Sequence, residues 1–133
     1  MVIMRAMSII LVLALFIGFS LCDAAETVVV DKTFNGREIK VRADSMIQIE
    51  LEQAGAAGYM WENQDLDKKH FELVSVKTQE PPEKLGLVGA PIIKTWLIIV
   101  KEKGRSELRF IHFRPWEGKE KAADKFALKV RIF

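Results

Sequence analysis

Apolar residues recur at every second position through most of this chain, in runs of strand length. Ile39 and Val41 alternate with Lys40 and Arg42, and Ile47, Ile49 and Leu51 with Gln48, Glu50 and Glu52. Leu108, Phe110 and His112 alternate with Arg109, Ile111 and Phe113. Phe126, Leu128, Val130 and Ile132 alternate with Ala127, Lys129 and Arg131. Residues 27–30 form a β-branched run, 59–61 a short aromatic piece, and 71–76 a further strand. Residues 95–100, TWLIIV, are apolar on both faces, which predicts a central strand. Turn signals separate these runs at Asn35-Gly36, 55–58, 81–91, Lys103-Gly104 and 117–123. Short strands with turns about every ten residues predict an all-β sandwich or barrel of about seven to eight strands. Residues 54–57 and 119–123 tolerate helix but are too short to change the class. The strands are also too short and too charged for a membrane-spanning barrel.

Residues 1–24 stand outside this pattern. Arg5 is their only charge before Asp23, and residues 9–17 are an unbroken apolar run, followed by Gly18, Ser20 and the small cluster Cys22, Asp23, Ala24 and Ala25. A basic start, a short apolar centre and a small-residue exit predict a secretory signal peptide, with cleavage near residues 22–25. The expected division is a leader over 1–24 and one domain over 25–133, acting as a secreted or periplasmic protein with no membrane attachment after cleavage. Two alternatives stay open. Residues 6–22 could remain as an anchor, although a span needs about 20 residues. Cys22 could instead carry a lipid, although Leu21 is large for the position before a lipidated cysteine.

Composition excludes several function classes. The chain has 20 Lys and Arg against 18 Asp and Glu, with no basic block, so nothing points to nucleic acid. One cysteine excludes a disulfide framework and a cysteine-based zinc site, and two histidines leave little for a metal centre. No cofactor or metal is expected. Ser45, Ser75 and Ser106 lie beside or inside predicted strands, without a partnered base. His112 reads as a packed, hydrogen-bonded strand residue, His70 as solvated, and Glu50 with Glu52 as a solvated face. The chain is not expected to be an enzyme.

Three segments break the strand pattern. Residues 53–59, QAGAAGY, carry no charge and nothing bulky before Tyr59, and their glycines allow close backbone approach. Residues 81–93, PPEKLGLVGAPII, form a long, proline-bounded apolar loop. Residues 112–118, HFRPWEG, place Arg114 and Trp116, types enriched at binding hot spots, around the rigid Pro115. The competing reading folds Trp116 back onto the core and gives Arg114 a surface ion pair.

This order, an uncharged Gly-Tyr loop, a glycine loop and then Arg-Pro-Trp, resembles the chagasin-like inhibitors of papain-type cysteine peptidases. The resemblance covers essentially residues 26–133. It implies an immunoglobulin-like β fold in which three loops at one end enter a protease cleft. Arg114, Pro115 and Trp116 match the family's third loop in full. Gly58 and Tyr59 match the end of its first loop, Asn-Pro-Thr-Thr-Gly-Tyr, but Ala54, Gly55, Ala56 and Ala57 replace the four residues before them. Gly89, Ala90, Pro91 and Ile92 stand where Gly-X-Gly-Gly is expected, and only Gly89 matches outright. The implied partner is a papain-like cysteine peptidase, met by a monomer. The small residues 54–57 would reach the base of the cleft. Trp116 would pack on one wall, with Arg114 supporting it or pairing with an acid, and residues 89–92 would touch the other wall. The alternative is an immunoglobulin-like binding module that has lost inhibition, which the altered first loop favours.

Overall fold

The computed structural model describes residues 26–53, 58–79 and 92–133. Among them lie eight strands and no helix beyond two short 3-10 turns. The strands are β1 (Thr27–Val30), β2 (Glu38–Val41), β3 (Met46–Gln53), β4 (Met60–Gln64), β5 (Phe71–Gln79), β6 (Ile92–Val100), β7 (Gly104–Phe113) and β8 (Asp124–Ile132). They form two four-stranded sheets, ordered β1-β3-β6-β5 and β2-β8-β7-β4. The β1–β3 and β2–β8 pairs are parallel and the others antiparallel. This is the all-β architecture that the alternation predicts. The leader expected over 1–24 lies outside the described residues.

The inward positions of both sheets make one core. Ile47, Ile49 and Leu51 of β3 and Trp96, Ile98 and Val100 of β6 face Leu108 and Phe110 of β7 and Phe126, Leu128 and Val130 of β8, all buried. Phe110 sits edge-on to Trp96 across the two sheets, centroids 4.7 Å apart, and to Phe126 beside it at 5.9 Å. β6 lies between β3 and β5, the central place expected from its two apolar faces. β5 is an edge strand and exposes Leu73, Val74 and Val76. A register shift between Leu73 and Ser75 and the charge of Lys77 break this edge against strand addition.

Register places the loops. Gln53 and Ile92 are partners, as are Gln79 and Ile93, so the ends of β3 and β5 flank the start of β6. Met60 pairs with Phe113 and His112 with Asp124, which brings the start of β4, the end of β7 and the start of β8 together. The three candidate loops therefore leave the sandwich at one end. The 3-10 turn Lys32–Phe34 crosses between sheets there too, capped by Asp31, whose side chain accepts from the Thr33 backbone N–H.

The opposite end corrects one expectation. His70 is packed, with its side chain only 13% exposed, because Nδ1 lies 2.6 Å from Asp67 Oδ2. The Ser106 hydroxyl donates to the same oxygen at 2.8 Å. Hydrogen bonds from Ser106 and His70 hold the Asp67 carboxyl below its ordinary pKa. The serine bonds the carboxylate and not the imidazole, so the trio staples the β4–β5 connection to β7 and provides no nucleophile–base pair.

Because Phe110 joins the two sheets, Phe110→Ala should lower stability by about 3–5 kcal/mol, read by urea denaturation. A loss under about 1 kcal/mol would show that the inter-sheet contact is not the core's main support.

Candidate functional site

The site is built on the strand ends at the loop end. Trp61, the second residue of β4, is 1% exposed and has a partner in every direction. Its indole N–H donates to the Glu52 carbonyl at 2.8 Å, and its backbone N–H donates to Gln53 Oε1 at 3.2 Å. Lys94 of β6 donates to its carbonyl at 2.8 Å. The Lys94 ammonium also lies 5.3 Å from the Trp96 ring centroid. Burial pushes the pKa of Lys94 down, and Glu62 partly opposes this.

The cross-strand partner of Trp61 is His112. Its imidazole stacks on the Trp61 indole, centroids 4.8 Å apart and planes 18° from parallel. The other neighbour is Tyr59, at 5.2 Å. The Arg114 guanidinium lies over Tyr59, 4.3 Å from the ring centroid. Lys32 lies over Trp61 at 5.8 Å and pairs with Asp124. The order Arg114, Tyr59, His112, Trp61, Lys32 is thus one stack, with a permanent cation at each end. The expected packing of His112 is present, but its hydrogen bonding is not: Nε2 is buried with no partner among the described residues.

The third loop leans on the first. Trp116 is 69% exposed, so the reading that folds it onto the core does not hold. Its ring edge instead touches the Gly58 backbone, where a Cβ would lie 2.2 Å from Cη2 and 2.9 Å from Cζ3. Gly58 also has φ +73°, a left-handed conformation that favours glycine. Glycine is required there twice over. Pro115, between Arg114 and Trp116, is exposed. Arg114 does make the surface ion pair of the competing reading, Nη1 to Glu117 Oε1 at 3.3 Å, while still covering Tyr59.

The structure thus brings together Gly58, Tyr59, Arg114, Pro115 and Trp116. Ile92 is a strand residue and not a loop residue: it opens β6, half-buried and paired with Gln53. Ala54, Gly55, Ala56, Ala57, Gly89, Ala90 and Pro91 lie outside the described residues. Two supporting residues are absent from the sequence expectations: Lys32 and Lys94. For Lys32, the Asp-Lys-Thr sequence was the available signal, since Asp31 capping Thr33 makes a tight turn. Among the described residues, no group of acidic, histidine or cysteine side chains could hold a metal.

Residues 40–130 match the family described as Chagasin family peptidase inhibitor I42. The chain belongs to that family. Chagasin of Trypanosoma cruzi is 22% identical over 104 residues, which span 77% of this chain and 94% of chagasin. The fold is similar to that of a cysteine protease inhibitor from Entamoeba histolytica, with TM-score 0.70, 16% identity and coverage of 82% of this chain and 97% of that one. It is also similar to PbICP-C, solved in complex with falcipain-2, with TM-score 0.51, 16% identity and coverage of 82% of this chain and 91% of that one. This chagasin-family chain therefore has the cysteine protease inhibitor fold, and its relatives are inhibitors and not enzymes.

Gly58→Ala should displace the Trp116 ring and strain the backbone by about 1–2 kcal/mol. The expected result is a shifted Trp116 indole N–H resonance with that of Trp96 unmoved. An unchanged Trp116 resonance would contradict the contact.

Proposed function

We propose that this protein is a reversible, non-covalent inhibitor of papain-like cysteine peptidases, which it meets with the loop end of the sandwich. The observation that carries this reading is Trp116, 69% exposed and braced against Gly58 at the end where three loops leave the sheets. A large aromatic side chain held in place while open to solvent is suited to binding a partner. The solved complex of PbICP-C with falcipain-2 supports the class of partner.

The mechanism needs no chemistry from the inhibitor. A papain-like cleft has a reactive thiolate at its base. The small side chains of residues 54–57 would reach that base with little steric hindrance. Trp116 would pack on one wall and residues 89–91 on the other, with no scissile bond presented for attack. Arg114 would support the third loop through Tyr59 and Glu117. Loops already braced lose little conformational entropy on docking, which favours tight binding. The leader-like residues 1–24 support a site of action outside the cytoplasm, and the protein would act as a monomer.

The second reading, a binding module without inhibition, rests on the alanine-rich residues 54–57. Titrating papain with the purified protein separates the two. Reversible loss of activity with the inhibitor intact afterwards is expected. Trp116→Ala should then weaken inhibition by about 2 kcal/mol, roughly 30-fold. Full inhibition by that variant would move the site away from the third loop. No inhibition at micromolar concentration would favour the binding module.

A further inference from the structure

We propose that His112 is a positioning residue for the binding loops, and that it holds them in place only while its imidazole is neutral. The proposal rests on the inhibitor reading above and adds a pH dependence to it.

The argument starts from what surrounds the ring. His112 separates Tyr59, at the end of the first loop, from Trp61, in the first strand turn below it. Tyr59 in turn carries Arg114, two residues before Trp116, and is the residue after Gly58, on which Trp116 rests. The imidazole is therefore the spacer that sets the height of both loops above the core. The charged groups around it are of both signs. Arg114 stands behind Tyr59 and Lys32 behind Trp61. Asp124, its register partner on β8, is the one facing carboxylate, and Lys32 already pairs with it. Glu117 is engaged with Arg114, and Glu62 with Lys119. Lys94 donates to the Trp61 carbonyl.

A proton added to this ring becomes a third cation in the stack. It also puts a charged imidazole at a buried Nε2 that has no acceptor among the described residues. The direction of the pKa agrees. Burial pushes it below the ordinary 6.5 and Lys32 adds to this, with Asp124 opposing. The sign follows from linkage. A histidine with a depressed pKa in the closed stack is protonated more readily when the stack opens. The closed arrangement therefore loses stability as pH falls below about 6.5 and stops losing it below the depressed value.

Two measurements test this. In the free protein, NMR from pH 7.5 to 5.0 should show the Tyr59 ring and the Trp116 indole N–H shifting with the His112 titration. In His112→Phe, which keeps a neutral ring in the stack, those shifts should vanish. In complex with papain, dissociation of the natural protein should become several-fold faster over that range than dissociation of His112→Phe. Fixed Tyr59 and Trp116 resonances while His112 titrates would overturn the proposal. So would equal pH profiles for the two inhibitors, since the change would then belong to papain. Coupled resonances without any inhibition of papain would uphold the positioning role and defeat the inhibitor reading.

Discussion

One side chain, Trp61, joins the bases of all three loops. Its indole N–H bonds the end of β3, its carbonyl holds Lys94 at the start of β6, and its ring face meets His112 at the end of β7. These strands precede or follow the first, second and third loops in turn. Because the indole is also part of the core, any motion of one loop base is resisted by the packing beneath all of them. The same burial explains why so many polar groups converge here. A buried tryptophan N–H and a half-buried lysine ammonium at a sandwich end need partners, and backbone carbonyls at the strand ends supply them.

The two ends of the sandwich are closed by different chemistry. At the far end, Asp67 gathers His70 and Ser106 through hydrogen bonds. At the loop end, closure is by stacked rings with a cation at each end of the stack. Hydrogen bonds fix positions but require each partner to be satisfied. Stacked rings present a continuous apolar body, and here they leave His112 Nε2 buried with no partner among the described residues. The stack also runs from the 3-10 turn near β1 to the residue before Pro115, so it crosses from one side of the sandwich mouth to the other.

Much of this was legible in the sequence, and the limits have physical reasons. Period-two alternation locates the strands because burial on one face is a local property of a strand. It also puts His112 on the inward face with Leu108 and Phe110. It cannot show that Tyr59 and Trp61 lie on either side of that ring, since the contact joins residues some fifty positions apart and depends on the β4–β7 register. Lys94 escaped for a related reason: a lysine before an apolar run reads as solvated, and only the strand pairing brings a backbone carbonyl within its reach. His70 reads as exposed because the residues before it are polar, yet one carboxylate three positions earlier is enough to bury it. The Arg-Pro-Trp segment stood out as a break in the strand pattern. Its dependence on Gly58 did not.

That dependence couples two loops that the chain keeps far apart. With Trp116 in place, position 58 has no room for a Cβ, and the left-handed backbone there independently favours glycine. With a smaller residue at 116, the steric reason would disappear and only the backbone reason would remain. The residues that depart from the family pattern in the first loop, Ala54, Gly55, Ala56 and Ala57, all precede this contact in sequence. The glycine, the tyrosine that carries Arg114, and the tryptophan they brace are all retained. The departures therefore leave in place the contacts that tie residues 58 and 59 to the third loop. Under the proposed function, changes at residues 54–57 alter what a peptidase meets while the rigidity that favours docking stays in the stack of Tyr59, His112 and Trp61.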